Sequence, residues 1–289
     1  MSTLRAGDRT LRLGERPLLV GVVNASPDSF SGGDADPVAA ARRALEAGAD
    51  IVDVGGESQR TDRPPLAPEE EIGRVVPVIE RVAADLGAVV SVDTYKPAVA
   101  EAAIRAGAAM VNDVSGLRDV ALAELCARSG AALVVTHTVG APKEKVLDHP
   151  YGDVAAEVAA ALAEKLELAR AHGVEAEQLV VDPGPDFGKS PAQTVALLRG
   201  LPAVVALGRP VMLAVSRKDF VGALTGRRPG ERLGGTLAAI GFGVDAGARL
   251  LRVHDVAAAA DYLAVRAALR GEAEVADDLR LADALRREE

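Results

Sequence analysis

The sequence predicts an α/β protein built as a single (β/α)₈ TIM barrel, and three observations support that fold class. Eight short runs rich in Val, Ile and Leu recur along the 289 residues, and they are continuous rather than alternating. Such runs are typical of parallel strands buried on both faces. Ala-rich amphipathic stretches separate them, and strands that alternate with helices form a parallel sheet. Eight such units favour a closed barrel over an open sheet, and no G-x-G-x-x-G follows the first run.

The predicted elements follow one another in a regular order. The predicted strands span 18–24, 50–55, 88–93, 109–114, 132–137, 178–183, 210–216 and 248–254. The predicted helices span 37–48, 68–86, 97–107, 120–130, 152–173, 191–201, 230–247 and 256–270. Several of these helices begin near a proline and end at a glycine, and these residues are common at helix starts and ends, respectively. We therefore expect one domain over residues 1–289, because no linker composition marks a boundary.

Both ends of the chain lie outside the eight units. Residues 1–16 predict a small hairpin that turns at Gly7-Asp8 and closes the bottom of the barrel. Residues 275–289 form a charged C-terminal end, and we expect a helix with a frayed end over 277–289.

Composition excludes several classes of protein. Hydrophobic residues make up 49 % of the chain, which is enough for a large core and too much for disorder. The net charge of −9 argues against a general nucleic-acid or anionic-membrane binder, although it permits a local basic pocket. The single cysteine, Cys126, lies in an apolar-periodic run, so we expect buried packing and a cytoplasmic location. We expect no membrane span, since no apolar leader and no stretch of about 18 uncharged apolar residues occurs.

Every predicted strand ends in or near polar residues that could contact a ligand. These residues are Asn24, Asp53 with Glu57, Asp93, Asn112 with Asp113, His137, Asp182, Ser216 with Lys218, and Arg252 with His254. The C-terminal ends of barrel strands carry the active site in this fold. This set therefore predicts an active-site rim. Asp53 is equally compatible with a structural role, and we interpret His137 as a buried, hydrogen-bonded histidine.

The residue types at four of these strand ends point to a heterocycle. Asp93, Asn112 and Asp182 supply carboxylate and amide groups, which match the adjacent N–H donors of an amidine-like ring edge. Lys218 could donate to a ring carbonyl. The sequence thus predicts a polar, ring-binding pocket at this end of the barrel.

A second group of residues points to a phosphate. Arg252 and His254 lie two residues apart on one face of a strand, where they could bind a phosphate as cations together with Asn24. The oxygen of Asn24 also suits Mg²⁺, which keeps few protein ligands beside phosphate and water. A zinc site and a serine hydrolase are disfavoured, because the sequence lacks Cys pairs, H-x-x-x-H and G-x-S-x-G. The basic residues Arg227, Arg228 and Arg232 predict a solvated loop.

Seven motifs, in order, resemble the signatures of the dihydropteroate synthase family. They are VVNASPDSFS at 22–31, GGES at 55–58 with Arg60, SVDT at 91–94, VNDVSG at 111–116, DPG and FGK at 182–184 and 187–189, SRK at 216–218, and RVHDV at 252–256. The match extends from about residue 17 to about residue 270. Seven ordered motifs in one chain are highly specific for this family of pterin-binding barrels.

The resemblance implies a reaction and a set of binding residues. Family members join 6-hydroxymethyl-7,8-dihydropterin diphosphate to p-aminobenzoate, which gives dihydropteroate and diphosphate. The implied pterin ligands are Asp93, Asn112, Asp182 and Lys218, and the implied diphosphate ligands are Asn24, Arg252 and His254, with Mg²⁺ at Asn24. The implied catalytic residues are Asn24, Asp93, Lys218 and Arg252. The family also implies a homodimer, with no nucleic-acid or membrane partner.

The resemblance places the second substrate on the opposite side of the site. Loops 25–36 and 58–68 are implied to close over it. The implied acceptor-side residues are Phe30, Gln59, Arg60, Asp186, Phe187, Ser216 and Arg217.

The chain departs from the family pattern mainly on this acceptor side. Gln59 and Thr61 stand where the family has Thr and Pro, Thr138 replaces a Met, Ala214 replaces a Gly, and the first loop is shorter. Asp186 stands in place of a glycine, and if it faced the acceptor its charge would repel the carboxylate of p-aminobenzoate. Two alternatives therefore stay open: a relative that uses another acceptor, and a non-catalytic pterin-binding paralogue. Methyltetrahydrofolate-dependent methyl transfer to a corrinoid protein uses a similar barrel but matches the motifs less well.

Overall fold

The computed structural model describes residues 2–25, 36–58, 63–144, 146 and 149–286. Two short antiparallel strands, β1 (Ser2–Ala6) and β2 (Arg9–Leu13), precede eight strands that run parallel. These are β3 (Leu18–Asn24), β4 (Ile51–Gly55), β5 (Val89–Asp93), β6 (Met110–Asp113), β7 (Ala132–Thr136), β8 (Leu179–Asp182), β9 (Met212–Leu213) and β10 (Leu250–Val253).

The eight parallel strands close on themselves. Each of β3 to β7 pairs with the next strand, and β10 pairs with both β3 and β9. A parallel bridge between Val181 and Val211 joins β8 to the residue before β9. Closure leaves no open edge that could pair with another chain. The predicted barrel is thus confirmed, although β9 is reduced to two residues.

Helices surround the barrel, and six of the ten that the structure describes begin with a proline in the first two positions or a capping acid. Their bounds are α1 (Pro37–Glu46), α2 (Pro68–Leu86), α3 (Pro97–Arg105), α4 (Ala121–Ser129), α5 (Val154–Ala171), α6 (Pro191–Arg199), α7 (Leu201–Val205), α8 (Asp219–Thr225), α9 (Leu233–Asp245) and α10 (Val256–Leu269). Asp153, for example, accepts from two backbone N–H groups in the first turn of α5. The predicted helix 191–201 corresponds to α6, and the short helix α7 that follows at Leu201 was not predicted. Helix α8 was not predicted.

Two apolar layers hold these elements together. Between strands and helices the core is built of Val, Leu and Ala, and it includes Cys126, which is fully buried as predicted. Burial raises the pKa of that thiol to about 12, so it remains protonated. Inside the bottom of the barrel, Leu4 and Ala6 of the hairpin pack against inward side chains such as Val20 and Met110. The hairpin therefore closes the bottom, as predicted, and each fully buried Leu there contributes about 1.5–3 kcal/mol.

The C-terminal end differs from its prediction. Instead of a helix over 277–289, the described part contains one 3₁₀ turn at Asp283–Leu285. The apolar residues Leu279, Leu281 and Leu285 are each more than half exposed, so no buried face stabilises a helix there. Among the described residues, no helix combines the length and the apolar character that crossing a membrane requires.

Candidate active site

A cavity of about 660 Å³ opens at the C-terminal ends of the barrel strands. Every described residue that the family resemblance assigned to substrate binding lines it: Asn24, Asp93, Asn112, Asp182, Asp186, Phe187, Ser216, Arg217, Lys218, Arg252 and His254. Of the other predicted rim residues, Glu57 also lines the cavity, whereas Asp53, Asp113 and His137 do not. The strand register explains this convergence, because Asp93 stands opposite Asn112 and side chains at matched positions share a face. Phe30, Gln59 and Arg60 lie outside the described residues.

A buried polar cluster forms one wall of the cavity. Arg252 donates from Nε to Oδ2 of Asp53 at 2.7 Å and from Nη2 to Oδ2 of Asp93 at 2.8 Å. Asn112 donates from Nδ2 to Oδ2 of Asp53 at 3.2 Å. Asp53, whose role the sequence left open, is fully buried and orients both neighbours.

Three oxygens of this cluster lack a partner within the described structure. They are Oδ1 of Asp53, Oδ1 of Asp93 and Oδ1 of Asn112, and all three are buried. A buried acceptor without a donor costs about 1–3 kcal/mol. Asp93 and Asn112 line the cavity, so their free oxygens are placed to accept from the N–H groups of a ligand.

Burial also changes the protonation of the two cavity carboxylates. Burial, opposed by Arg252, raises the pKa of Asp93 to about 7, and the nearby Asp53 adds to the rise. Burial likewise raises the pKa of Asp182, although the backbone N–H of Gly184 donates to its Oδ1 at 2.7 Å. Both groups are thus poised to respond to a ligand that brings hydrogen-bond donors.

Lys218 faces these carboxylates from the other side of the cavity. Its Nζ lies 4.2 Å from the centroid of the Phe187 ring, within the range of a cation–π contact. Burial lowers the pKa of Lys218, and the carboxylates of Asp186 and Asp182 oppose that shift.

His254 differs in charge from what the sequence suggested. Burial lowers its pKa to about 4, and the cations of Arg252 and Arg217 add to the shift, so the ring is neutral at pH 7. Ser216 Oγ lies 3.0 Å from Nδ1 of His254 and accepts from the His254 backbone N–H at 3.2 Å. Because that hydroxyl can donate its own proton to Nδ1, the neutral ring can carry its proton on Nε2. His254 can therefore donate one hydrogen bond to a ligand but brings no positive charge.

Arg217 is engaged by a neighbour on the rim. Its Nη2 and Nε donate to the two carboxylate oxygens of Asp255 at 2.6 and 3.0 Å. Such a bidentate pair fixes the guanidinium plane. Asp255, which the sequence analysis did not assign to the site, thus orients a predicted acceptor-side residue.

A buried ion cluster connects two rim loops. Glu57 pairs with Lys96 and, at 3.1 Å, with Lys143, while Lys96 also pairs with Glu71 at 2.6 Å. Glu57 and Lys143 both line the cavity. The cluster therefore ties the loop after β4 to the loop after β7, next to the site.

Two further basic residues shape the site, and the sequence analysis missed their roles. Lys189 is buried and donates to Nδ1 of His137 at 2.9 Å and to the carbonyl of Gly184 at 2.9 Å. Burial lowers the pKa of Lys189 to about 7 and that of His137 to about 3. His137 is thus buried and hydrogen-bonded, as predicted. The position of Lys189 in the FGK motif, directly after a glycine-rich turn, is the sequence feature that could have indicated its role.

Arg232 is the second basic residue whose role the sequence did not predict, and it is not part of a solvated loop. Its Nη1 donates to the carbonyls of Arg217 at 2.8 Å and Lys218 at 3.1 Å, and to Asp219 at 2.9 Å. The interpretation of Arg232 as solvated was therefore wrong, because a charged side chain can satisfy the carbonyls of a tight loop. Nothing in the local sequence indicates these distant partners.

Comparison with known proteins identifies the family. Residues 20–254 match the model of the pterin binding enzymes. The chain is 37 % identical to the dihydropteroate synthase of Bacillus subtilis over 84 % of this chain and 85 % of that protein. It is 42 % identical to a probable bifunctional folylpolyglutamate synthase/dihydropteroate synthase of Haloferax volcanii over 82 % of this chain, but it spans only 29 % of that longer protein.

A solved structure agrees with the sequence comparison. The Xanthomonas albilineans dihydropteroate synthase with 4-aminobenzoic acid superimposes with a TM-score of 0.86 at 43 % identity, covering 93 % of this chain and 98 % of that one. Likeness in both sequence and fold over nearly the full barrel is too extensive for a shared fold alone. The chain therefore belongs to the dihydropteroate synthase family of pterin binding enzymes.

Proposed function

We propose that this protein is a dihydropteroate synthase. It joins 6-hydroxymethyl-7,8-dihydropterin diphosphate to p-aminobenzoate and releases diphosphate. One observation carries this assignment: buried, unpartnered oxygens of Asp93 and Asn112 face the same cavity as Asp182 and Lys218. That arrangement offers acceptors for the N–H edge of a pterin and a donor for its carbonyl.

The pterin's own donors satisfy groups that the free site leaves unpaired. Oδ1 of Asp93 and Oδ1 of Asn112 accept from ring and amino N–H groups, and Asp182 accepts on the neighbouring edge. A buried acceptor without a donor is unfavourable, and each of these bonds removes part of that unfavourable free energy. The site therefore binds a pterin more tightly than a ring that lacks these donors. Lys218 donates to the ring carbonyl.

The diphosphate contacts the adjacent strand ends. Arg252 keeps N–H donors beyond the two that Asp53 and Asp93 accept, since a guanidinium has five. His254 adds a neutral donor, and Asn24 lies on the same wall of the cavity. Of these three residues, Arg252 is the one that carries a positive charge in the ligand-free site.

Mg²⁺ fits this site as an ion that accompanies the diphosphate. Asn24 offers one neutral oxygen, and the part of the chain that the structure describes gathers no three His, Cys, Asp or Glu side chains around one point. Mg²⁺ commonly binds through one or two protein oxygens plus substrate phosphate and water. When bound, it offsets the negative charge of the departing diphosphate.

The chain's own residues account for the substitution step. The bond between the pterin methylene carbon and the diphosphate oxygen breaks, and the electron pair leaves with the diphosphate. The amine nitrogen of p-aminobenzoate then supplies the pair for the new C–N bond and loses one proton to solvent. Asp93 and Asp182 stabilise the positive charge that spreads over the pterin, and Arg252 stabilises the leaving group.

The acceptor side retains room for a carboxylate. Asp186 keeps its negative charge, since its donors Thr194 and the backbone of Phe220 are neutral, but this charge is opposed by the nearby Lys218 ammonium. The expected repulsion of p-aminobenzoate is therefore weakened, and no observation favours another acceptor. Phe187, Ser216 and Arg217 contribute the described part of this side.

Exposed apolar side chains on the last two helices suggest a face for a homodimer. Phe242 of α9 and Val265 and Leu269 of α10 are 49 %, 60 % and 83 % exposed. The two helices pack side by side, so these residues lie on adjoining helices. We propose that a second copy covers this face, and a cytoplasmic location stays a prediction.

The first experiment measures diphosphate release from the pterin diphosphate with Mg²⁺, with and without p-aminobenzoate. We expect release that depends on p-aminobenzoate, with dihydropteroate as product. Asp153→Gly, which removes a helix cap away from the cavity, is the matched control and should retain this activity. Tight binding of the pterin diphosphate without p-aminobenzoate-dependent release would instead identify a non-catalytic paralogue or another acceptor.

A further inference from the structure

Two loops meet over the cavity where a lysine contacts an aromatic ring. Phe187 lies on the loop between β8 and α6, and Lys218 lies on the loop between β9 and α8. The Lys218 ammonium stands 4.2 Å from the centroid of the Phe187 ring. Both side chains are partly buried. A cation–π contact at such a site is worth only about 0.5–2 kcal/mol, so other contacts are needed to hold the two loops together.

Asp186 supplies those contacts. Its Oδ2 accepts from the backbone N–H of Phe220 at 3.1 Å, and its Oδ1 accepts from the hydroxyl of Thr194 at 3.0 Å. Its own backbone N–H donates to Thr194 Oγ1 at 3.2 Å. Asp186 precedes Phe187, and Phe220 is two residues after Lys218, so these bonds close a ring around the Phe187–Lys218 contact.

The backbone at this position would accept a glycine equally well. Asp186 has a φ of 65°, in the left-handed region that favours glycine and that Asp and Asn also tolerate. The family pattern has glycine here, so the chain keeps that conformation and adds a carboxylate. The carboxylate is thus an addition to the site rather than a requirement of the turn.

We propose that Asp186 is a positioning residue that clamps the Phe187 loop to the first turn of α8 and thereby raises the apparent affinity for the acceptor substrate. Apparent affinity falls in proportion to the fraction of molecules with a competent site. A clamp that holds Phe187 and Lys218 in register keeps that fraction near one. This inference rests on the proposed function, because it assigns Phe187 to the acceptor side.

The charge of Asp186 supports the same arrangement. Burial lowers the pKa of Lys218, and Asp186 is foremost among the carboxylates that oppose this shift, followed by Asp182. The clamp therefore also favours the ammonium form that contacts the ring.

The experiment compares three variants with the wild-type protein. Asp186→Gly keeps the backbone conformation and removes the clamp, and Asp186→Asn keeps an oxygen that can accept from the Phe220 N–H. Asp153→Gly removes a side-chain cap of the same chemistry from α5, away from the cavity. The readouts are kcat, the KM for p-aminobenzoate and the melting temperature.

We expect Asp186→Gly to raise the KM for p-aminobenzoate about tenfold, as the loss of hydrogen bonds to a charged group permits, with a smaller change in kcat. Asp186→Asn should recover most of that loss. Asp153→Gly should lower the melting temperature to a similar extent without raising the KM. An unchanged KM in Asp186→Gly, or equal KM changes in Asp186→Gly and Asp153→Gly, overturns the proposal.

A second measurement does not depend on turnover. Hydrogen exchange at the Phe220 amide should be about tenfold faster in Asp186→Gly than in the wild-type protein, and close to wild-type in Asp186→Asn. If the wild-type protein shows no p-aminobenzoate-dependent turnover, the proposed function fails, whereas exchange still tests the clamp. Equal exchange in the wild-type protein and Asp186→Gly overturns the clamp whatever the activity.

Discussion

Arg252 is held in the active site by Asp53, which accepts from its Nε at 2.7 Å. Asp53 is fully buried, and Arg252 bridges from it to Asp93. The carboxylate behind the cavity therefore fixes the direction of the main cation inside it. Asp53 is thus a positioning residue, the role that the sequence alone left open.

Asp53→Asn should weaken binding of the pterin diphosphate. Arg252 loses one of the two negative charges that orient it, and hydrogen bonds to charged groups contribute about 1.5–3 kcal/mol. We expect the KM for the pterin diphosphate to rise about tenfold or more. Asp50→Asn is the control. Asp50 directly precedes β4, at the end of the barrel away from the cavity, and pairs with Arg16. Equal KM values for both variants would contradict the positioning role.

Asp93 should make the folded protein less stable as the pH rises. Burial raises its pKa from 3.8 to about 7, so between these values the folded protein holds a proton that the unfolded chain has lost. The stability from this group is fully present below about pH 4 and is lost as the pH rises through 7.

Asp93→Asn removes this titration. The free energy of unfolding of the variant, relative to wild type, should therefore rise by about 1.4 kcal/mol per pH unit from pH 5 to pH 7, and level off by pH 8. Urea unfolding of both proteins across that range measures it. Parallel curves for the two proteins would mean that Asp93 ionises as readily in the folded state as in the unfolded chain. The same variant should lose pterin binding, because it removes an acceptor.

The family motifs explain why so much of the site was predictable from sequence. Asp93, Asn112 and Asp182 end strands whose apolar runs are unmistakable, and a barrel brings strand ends together. Their positions follow from register alone. Strand register does not predict the protonation of each side chain. His254, for example, is neutral because it is buried beside Arg252 and Arg217.

Contacts between distant segments account for what the sequence could not reveal. Arg232 looks like any loop arginine, yet it donates to carbonyls 14 and 15 residues away. Helix α8 has only seven residues, too short for a clear apolar period. The apolar residues of the C-terminal end have no surface to pack against. The sequence pattern over 277–289 therefore predicted a helix that tertiary packing does not stabilise.

Lys218→Ala should abolish tight binding of the pterin. The change removes the donor that faces Asp182 and Asp93, and it leaves those carboxylates with less opposing charge. We expect a roughly ten- to hundredfold loss of affinity for the pterin diphosphate by calorimetry, about the effect of losing one charged donor. Lys165→Ala, on the outer helix α5, should bind as the wild-type protein does. Unchanged affinity in Lys218→Ala would remove Lys218 from the pterin site.

Asn24→Ala should alter the response to Mg²⁺. If the amide oxygen is one of few protein ligands, its loss weakens the ion's contribution without removing the diphosphate oxygens. The Mg²⁺ concentration for half-maximal diphosphate release should rise several-fold, whereas the KM for p-aminobenzoate should change little. A Mg²⁺ dependence identical to wild type would place the ion away from Asn24.

Phe242→Glu should convert a dimer into monomers. A charge at the apolar face of α9 and α10 must be desolvated in any interface that covers Val265 and Leu269, and an unpaired buried charge costs several kcal/mol. Light scattering after size exclusion should report a dimer for the wild-type protein and a monomer for the variant. Leu224→Glu is the control, because Leu224 is 69 % exposed on α8, outside this face. A monomeric wild-type protein, or a dimer that survives Phe242→Glu, would show that a second copy does not cover this face.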